Sequence, residues 1–371
     1  MLKVSNFGAA CCVIESDSFR ILCDPWLVGT AYLGAWEREH YLPDPVKAIG
    51  KVDVIWISHL HDDHLSIESL RLLRQAQPDV PIWIGPHCRH LERLLKEFNP
   101  VVQDHWRTKD IMAYTFPSPH EHSEGVDSYL VVMDGDSTVA NLNDLPFHDD
   151  ACNNILRLAS GTHLTALLPY AGAGPWPQCF DMTHMERWQE AEKKKAKFIA
   201  QFQRYKEALH ADVAIPFSAG YVLRGPLAAL NDERGIPDPT TIPGATVLPV
   251  EGAAPRPAEV FGGHEWENDP MPTDDEIYNL IDRASARAPK VSGSDLTIGI
   301  YWESGGCHIH AASTYANIVH ETIYFDARLL AGMLRRKYHA NSIEIGSCVR
   351  IKRHGAGYDP RVWSYLYRFH I

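Results

Sequence analysis

The residues of this chain best suited to hold a transition metal lie in one run, His59-Leu60-His61-Asp62-Asp63-His64. Three imidazoles and two carboxylates fall within six positions, and these are the donors that zinc, iron and manganese take. The run follows Val52-Asp53-Val54-Ile55-Trp56-Ile57, apolar nearly throughout and rich in β-branched residues, as a strand buried on both faces would be. Alternate side chains of an extended chain point the same way, so His59 and His61 are placed to converge on one ion. A helix is expected over residues 66–75, and the turn into it swings Asp63 and His64 towards a second, adjacent position. A solvated polar loop after a buried strand is the bland alternative, and the length of the pattern argues against it.

The run resembles the signature of the metallo-β-lactamase superfamily, whose members hold one or two metals at the edge of an αββα sandwich. That resemblance implies an α/β fold, with α+β character in the C-terminal part. It also implies further site residues. Asp24 matches an aspartate that orients the histidine-rich loop through hydrogen bonds. The third protein ligand of the first metal is expected from residues 116–132, where His120, Glu121, His122 and Glu124 all compete and His120 and Glu124 rank first. Asp144, closing a strand over residues 138–143, matches the bridging carboxylate. Two cations about 3.5–4 Å apart repel, and a shared carboxylate lowers that cost while fixing their separation. The implied metal ligands are therefore His59, His61, Asp63, His64, Asp144 and one or both of His120 and Glu124, with Asp63 and Asp144 as the catalytic carboxylates.

The elements that must position these groups can be read along the chain. Residues 3–26 break as a hairpin around Ser16-Asp17-Ser18. Residues 27–51 are aromatic and Gly-rich without periodicity, and are expected to form a pocket wall near the metals. Beyond the metal loop, helix 66–75, strand 81–85 and a helix around 91–98 continue the alternation of an α/β layer fold. A long helix is expected over 182–209, with Lys193-Lys194-Lys195 as a solvated face, and a strand over 212–217. Residues 231–272 are a Pro- and Gly-rich connection. A helix over 273–288, a strand at 296–302, a helix over 326–338 and a final strand over 342–352 complete the pattern. The expected domains are a metal-binding domain over 1–270 and a smaller α+β appendage over 271–371, covering the pocket or mediating dimer contacts. His308 and His310 are expected on a surface strand pair.

Composition limits the function classes. A length of 371 residues and a hydrophobic content of 45% suit a full two-layer core. The formal net charge of −12 argues against nucleic-acid binding through phosphate neutralisation. No stretch approaches the ~20 apolar residues that span a bilayer, and the N-terminus lacks the layout of a signal peptide. Eight scattered cysteines fit buried, reduced thiols, so the expected location is the cytoplasm.

Four further strings narrow the resemblance to the CMP-N-acetylneuraminate hydroxylase family: Ala171-Gly172-Ala173-Gly174-Pro175-Trp176-Pro177, Pro216-Phe217-Ser218-Ala219-Gly220-Tyr221, Pro243-Gly244-Ala245-Thr246 and Ile345-Gly346. That family joins a metallo-β-lactamase-fold domain to a Rieske domain and hydroxylates with molecular oxygen. Here the only Cys-x-x-His after Cys88-Arg89-His90 is Cys307-His308-Ile309-His310, in a distant part of the chain, so a Rieske centre is not expected. One departure concerns the second metal. The superfamily supplies it with a late histidine, whereas strand 212–217 runs into Ser218-Ala219-Gly220-Tyr221 without one, leaving His184, His210 and His264 as distant candidates. Two chemistries stay open. The first is a diiron monooxygenase that uses two iron ions, dioxygen and an external electron donor to hydroxylate a small molecule. The second is a zinc hydrolase in which metal-bound hydroxide attacks an ester, amide or phosphoester. Iron is favoured over zinc or manganese, and the oxygenase over the hydrolase, because the resemblance along the chain leans that way.

Overall fold

The computed structural model describes residues 1–119, 127–254, 263–291, 296–312, 319–355 and 359–370. The chain opens as the expected hairpin: β1 (Lys3–Asn6) pairs antiparallel with β2 (Cys12–Glu15), and β2 with β3 (Arg20–Cys23). Within the aromatic stretch that follows, β4 (Trp36–Arg38) and α1 (Pro45–Ile49) give local order to what composition alone reads as loop. β5 (Val54–Trp56) then pairs parallel with β3. Helix α2 (Ile67–Ala76) starts at Ser66, whose side chain accepts from the Ser69 amide, and carries the chain across to β6 (Ile82–Ile84). The helix expected over 91–98 is instead a pair of 3-10 segments, Pro86–Arg93 and Lys96–Phe98. β7 (Val101–Val102) completes a sheet in the order β1-β2-β3-β5-β6-β7.

The second sheet begins as an antiparallel meander of β8 (His105–Arg107), β9 (Met112–Pro117), β10 (Ser128–Met133) and β11 (Ser137–Asn141). Two parallel strands extend it: β12 (His163–Pro169) after α3 (Asp149–Leu158), and β13 (Val213–Phe217) after the long α4 (His184–Leu209). Both sheets are six-stranded. Cys12, Ile14, Ile21, Val54 and Trp56 of the first pack against Leu130, Val132, Val139, Leu167 and Ile215 of the second. The outer face of the first sheet is covered by Leu70 and Leu73 of α2. That of the second is covered by Ile155 of α3 and by Phe202 and Tyr205 of α4. The layers therefore run α, β, β, α.

β14 (Tyr221–Leu223) pairs with β4 and ties the end of the second sheet to the aromatic stretch. After 3-10 segments come α5 (Asp274–Arg287), β15 (Thr297–Trp302), β16 (Gly305–His310), β17 (Val319–Tyr324), α6 (Ala327–Leu334), α7 (Ala340–Ile345), β18 (Arg350–Arg353) and α8 (Arg361–Tyr367). The strands form a sheet in the order β16-β15-β17-β18. Ile298, Ile300, Ile323 and Ile351 of this sheet pack on Ile277, Leu330 and Trp363 of the helices, and Phe180 joins the same cluster. The final strand expected over 342–352 is corrected. The His339 side chain caps α7 by accepting from the Asn341 amide, so only Arg350–Arg353 extends. The helix expected over 326–338 stops at Leu334. No helix among the described residues is long and apolar enough to cross a membrane.

Candidate metal centre

Strands β3, β5, β12 and β13 run parallel to a neighbour in their sheets, and the chemistry gathers where β3, β5, β11 and β13 end. Past β5 the chain stays extended to Ile57, whose amide is held by the Trp83 carbonyl, and then delivers Ser58 and His59. A tight turn follows, with the amides of His64 and Leu65 both donating to the His61 carbonyl. Past β11, Asn143 adopts a left-handed backbone (φ 46°), a conformation asparagine tolerates well, and Asp144 follows it.

Two donor sets result. One joins His59, His61 and Asp144; the other joins Asp63, His64 and Asp144, with the ligand atoms of each set within 4.8 Å of one another. Asp144 is common to both. His59 Nε2 lies 2.7 Å from His61 Nδ1, and His64 Nε2 lies 3.2 Å from Asp144 Oδ2 and 3.8 Å from Asp63 Oδ2. His59 and His64 are fully buried.

The surroundings decide which ring nitrogen carries the proton. The Ser58 hydroxyl donates to Asp24 Oδ2 at 2.6 Å and is thereby left to accept from His59 Nδ1 at 2.9 Å. His64 Nδ1 donates to the same Asp24 oxygen at 2.9 Å. Both imidazoles thus turn Nε2 towards the cluster, as a metal ligand must. The Ser58 amide donates to Asp24 Oδ1 at 2.8 Å, and the Ser58 carbonyl accepts from Ser128 Oγ at 2.6 Å and Cys88 Sγ at 3.1 Å. Every polar atom of the Ser58 residue is therefore engaged. Two nitrogens and an oxygen converge on one point, and one nitrogen and two oxygens on the other. Such all-N/O sets fit zinc, iron or manganese.

Electrostatics follow burial and charge. Burial, with His64 and His61 nearby, holds His59 well below the usual imidazole range. For His64 burial acts in the same direction but is outweighed by Asp144 and Asp63 and by the hydrogen bonds to Asp144 and Asp24, which hold it well above the usual imidazole range. Burial raises Asp24 despite its bonds to His64 and Ser58. Burial also pushes Asp62 up to about 6, against the Tyr32 amide that donates to it.

His59, His61, Asp63, His64 and Asp144 are brought together as a unit. His120, Glu121, His122 and Glu124 lie outside the described residues. The distant histidines go elsewhere: His184 pairs with Glu233, His210 ends α4, and His264 stacks on Trp266 and bonds Glu267 at 3.0 Å. His308 and His310 lie on β16. Where a late histidine was sought, Ser218 stands instead, in a left-handed backbone (φ 63°), its hydroxyl donating to Asp144 Oδ1.

Three neighbours were not singled out from sequence. Tyr32 donates its hydroxyl to Asp63 Oδ1 at 2.6 Å, although its aromatic stretch was expected to flank the site. Asp127 Oδ1 stands 3.6 Å from His59 Nε2. Ser218 is the third, and the missing histidine was its only signal. A cavity of about 880 Å³ also has Ser218 in its wall, together with Tyr170, Tyr221, Arg234, His40 and Trp188.

Residues 3–145 match the family model described as a β-lactamase superfamily domain. The chain is 40% identical over 85 residues to the cytidine monophosphate-N-acetylneuraminic acid hydroxylase of Asterias rubens, covering 23% of this chain and 13% of that protein. It is 30% identical over 255 residues to a protein of Mycolicibacterium smegmatis named as a Rieske 2Fe-2S iron-sulfur protein, covering 64% of this chain and 47% of that one. The chain thus spans less than half the length of these curated relatives. Among solved structures, CmlA, a diiron β-hydroxylase from Streptomyces venezuelae, aligns at 14% identity and a TM-score of 0.44, over 68% of this chain and 53% of that one. An isothiocyanate hydrolase from Delia radicum gut bacteria aligns at 14% identity and a TM-score of 0.44, over 69% of this chain and 99% of that one. The domain match and the αββα layers give the chain the metallo-β-lactamase fold, in which the ligand cluster marks a metal-dependent enzyme.

Proposed function

We propose that this chain is the catalytic part of a non-haem iron oxygenase that hydroxylates a small organic molecule, drawing electrons from an external donor. The observation that carries this reading is the pairing of a 2-His-1-carboxylate set, His59, His61 and Asp144, with a second N/O set through the shared Asp144. Such a set leaves coordination positions open, which suits ferrous iron and dioxygen. The names of the relatives support it, one being a hydroxylase and another an iron–sulfur protein with additional chain that this sequence does not cover.

Bound iron would supply activation of dioxygen. The chain's own residues do the rest. Asp24 and Ser58 hold the tautomers of His59 and His64, and Tyr32 holds Asp63. Ser218 holds one oxygen of Asp144 and leaves the other facing His64. The cavity beside Ser218 is the place for the organic substrate. Its size falls within the usual range of small-molecule sites, and Tyr170, His40 and Arg234 give it polar anchors.

Zinc hydrolysis is the second reading, favoured by the donor set itself, because zinc outcompetes ferrous iron at N/O sites by intrinsic affinity. The experiment loads iron anaerobically, adds reductant and candidate substrates, and follows oxygen consumption. Substrate-dependent uptake supports the oxygenase. Turnover by zinc-loaded protein under nitrogen, without oxygen uptake by the iron form, overturns it.

A further inference from the structure

Tyr32 is tied to the ligand cluster at one end and to a stack of aromatic rings at the other. Its hydroxyl donates to Asp63 Oδ1 at 2.6 Å, while Asp63 Oδ2 faces His64 Nε2 at 3.8 Å. Ligation through Oδ2 therefore leaves Oδ1 with Tyr32. The Tyr32 ring meets Trp36 edge-on, with centroids 4.4 Å apart. Trp36 in turn stacks on Tyr221, at 3.5 Å between centroids and 6° between planes. Beyond Tyr221 lies the Arg234 guanidinium, 4.7 Å from the ring centroid, and both residues line the 880 Å³ cavity. An unbroken run of rings thus joins a metal ligand to the cavity wall.

Core packing accounts for the burial of these rings but not for their identity. Tyr32, Trp36 and Tyr221 are all buried, and the Trp36 indole N–H has no hydrogen-bond partner among the described residues. A buried donor left unpaired costs about 1–3 kcal/mol, which phenylalanine or leucine would avoid. Tyrosine and tryptophan are also the side chains most readily oxidised by one electron, and rings in van der Waals contact exchange electrons rapidly.

We infer that Tyr32, Trp36 and Tyr221 form a one-electron conduit that carries oxidising equivalents from the metal cluster to the cavity wall. This rests on the redox reading of the cluster given above. When an oxidised iron centre has no substrate, one electron leaves the Tyr32 ring for the iron, and the phenol proton moves along its hydrogen bond to Asp63 Oδ1. The neutral Tyr32 radical is where the oxidising equivalent rests, and its discharge begins when an electron from Trp36 refills the ring and the proton returns. The stacked Trp36–Tyr221 pair then carries the positive charge only in passing, as a radical cation, because the indole proton has no acceptor among the described residues. Arg234 beside Tyr221 raises the energy of that charge at the outer ring and favours its discharge. A one-electron reductant in the cavity, of the ascorbate or thiol class, gives up the electron that restores the pair. Each passage thus oxidises the reductant by one electron and reduces the iron by one.

The test treats iron-loaded protein with hydrogen peroxide and follows radicals by freeze-quench electron paramagnetic resonance. A tyrosyl signal that narrows in protein made with ring-deuterated tyrosine is expected. Tyr32→Phe should lose it when the signal is scaled to the iron that each preparation binds. Trp36→Phe, which touches no metal ligand, should keep the signal but lose its accelerated decay with ascorbate; it is the deciding variant if Tyr32→Phe fails to hold iron. An unchanged signal in Tyr32→Phe, or ascorbate quenching as fast in Trp36→Phe as in the parent, overturns the conduit. Protein that consumes oxygen with reductant yet forms no tyrosyl radical overturns the conduit alone. Protein that does neither overturns the oxygenase reading and the conduit with it.

Discussion

Asp24 Oδ2 accepts from His64 Nδ1 at 2.9 Å, and both side chains are wholly buried. The same oxygen accepts from Ser58 Oγ, so one carboxylate at the end of β3 sets the orientation of the loop that follows β5. Outer partners of metal-binding histidines are typically worth about 10–100-fold in metal affinity. Asp24→Asn should weaken metal binding by about that factor, measured by chelator competition. Affinity equal to that of the parent chain would remove Asp24 from this role.

Asp144 completes both donor sets, whereas His61 belongs to one. Asp144→Ala should therefore lower the metal content of both sites and abolish activity, while His61→Ala should spare more of the bound metal. Elemental analysis of the two variants after dialysis against trace metal checks the ranking. Equal losses would mean that the carboxylate is not shared.

His87 lies behind the cluster, its Nε2 2.7 Å from Ser128 Oγ, and burial followed by the nearby His90 pushes it down to about 4. An unfolded histidine titrates near 6.5. As pH falls from 6.5 towards 4 the unfolded chain takes up a proton that the folded chain refuses, so stability is lost across that window. At pH 5 the loss has an upper bound of about 2 kcal/mol, lowered by partial exposure of the ring. His87→Gln, compared with the parent by urea unfolding of metal-free protein at pH 7 and pH 5, should lose less stability between the two. A parallel loss would contradict the assignment.

Leu167 of β12 is fully buried between the two sheets, against Val54, Trp56 and Leu130. Leu167→Ala leaves a cavity there and should cost about 2–5 kcal/mol. Thermal or urea unfolding reads this directly, and a change below about 1 kcal/mol would mean that the sandwich interior closes over the gap.

Local rules make part of this protein legible in its sequence. The division of the loop into His59 with His61 and Asp63 with His64 follows from side-chain alternation on an extended chain, then a turn. Helix α2 is marked by its Ser66 cap and α4 by its long periodic run. Elsewhere local signals competed. Ile343, Ile345, Val349 and Ile351 resemble a strand, but the His339 cap starts a helix and packing on α8 keeps it. Asp24 and Asp144, 40 and 80 residues from His64, were reached only through the family resemblance.

Sequence alone determined the donor chemistry, because imidazole and carboxylate spacing within one loop is a property of the local backbone. Tertiary structure alone decided which groups complete it. Ser218 beside Asp144, Tyr32 beside Asp63 and Asp127 beside His59 meet because strand order brings distant chain ends to one edge. Contacts between separate strands depend on register and layer packing, and no spacing along the chain encodes them.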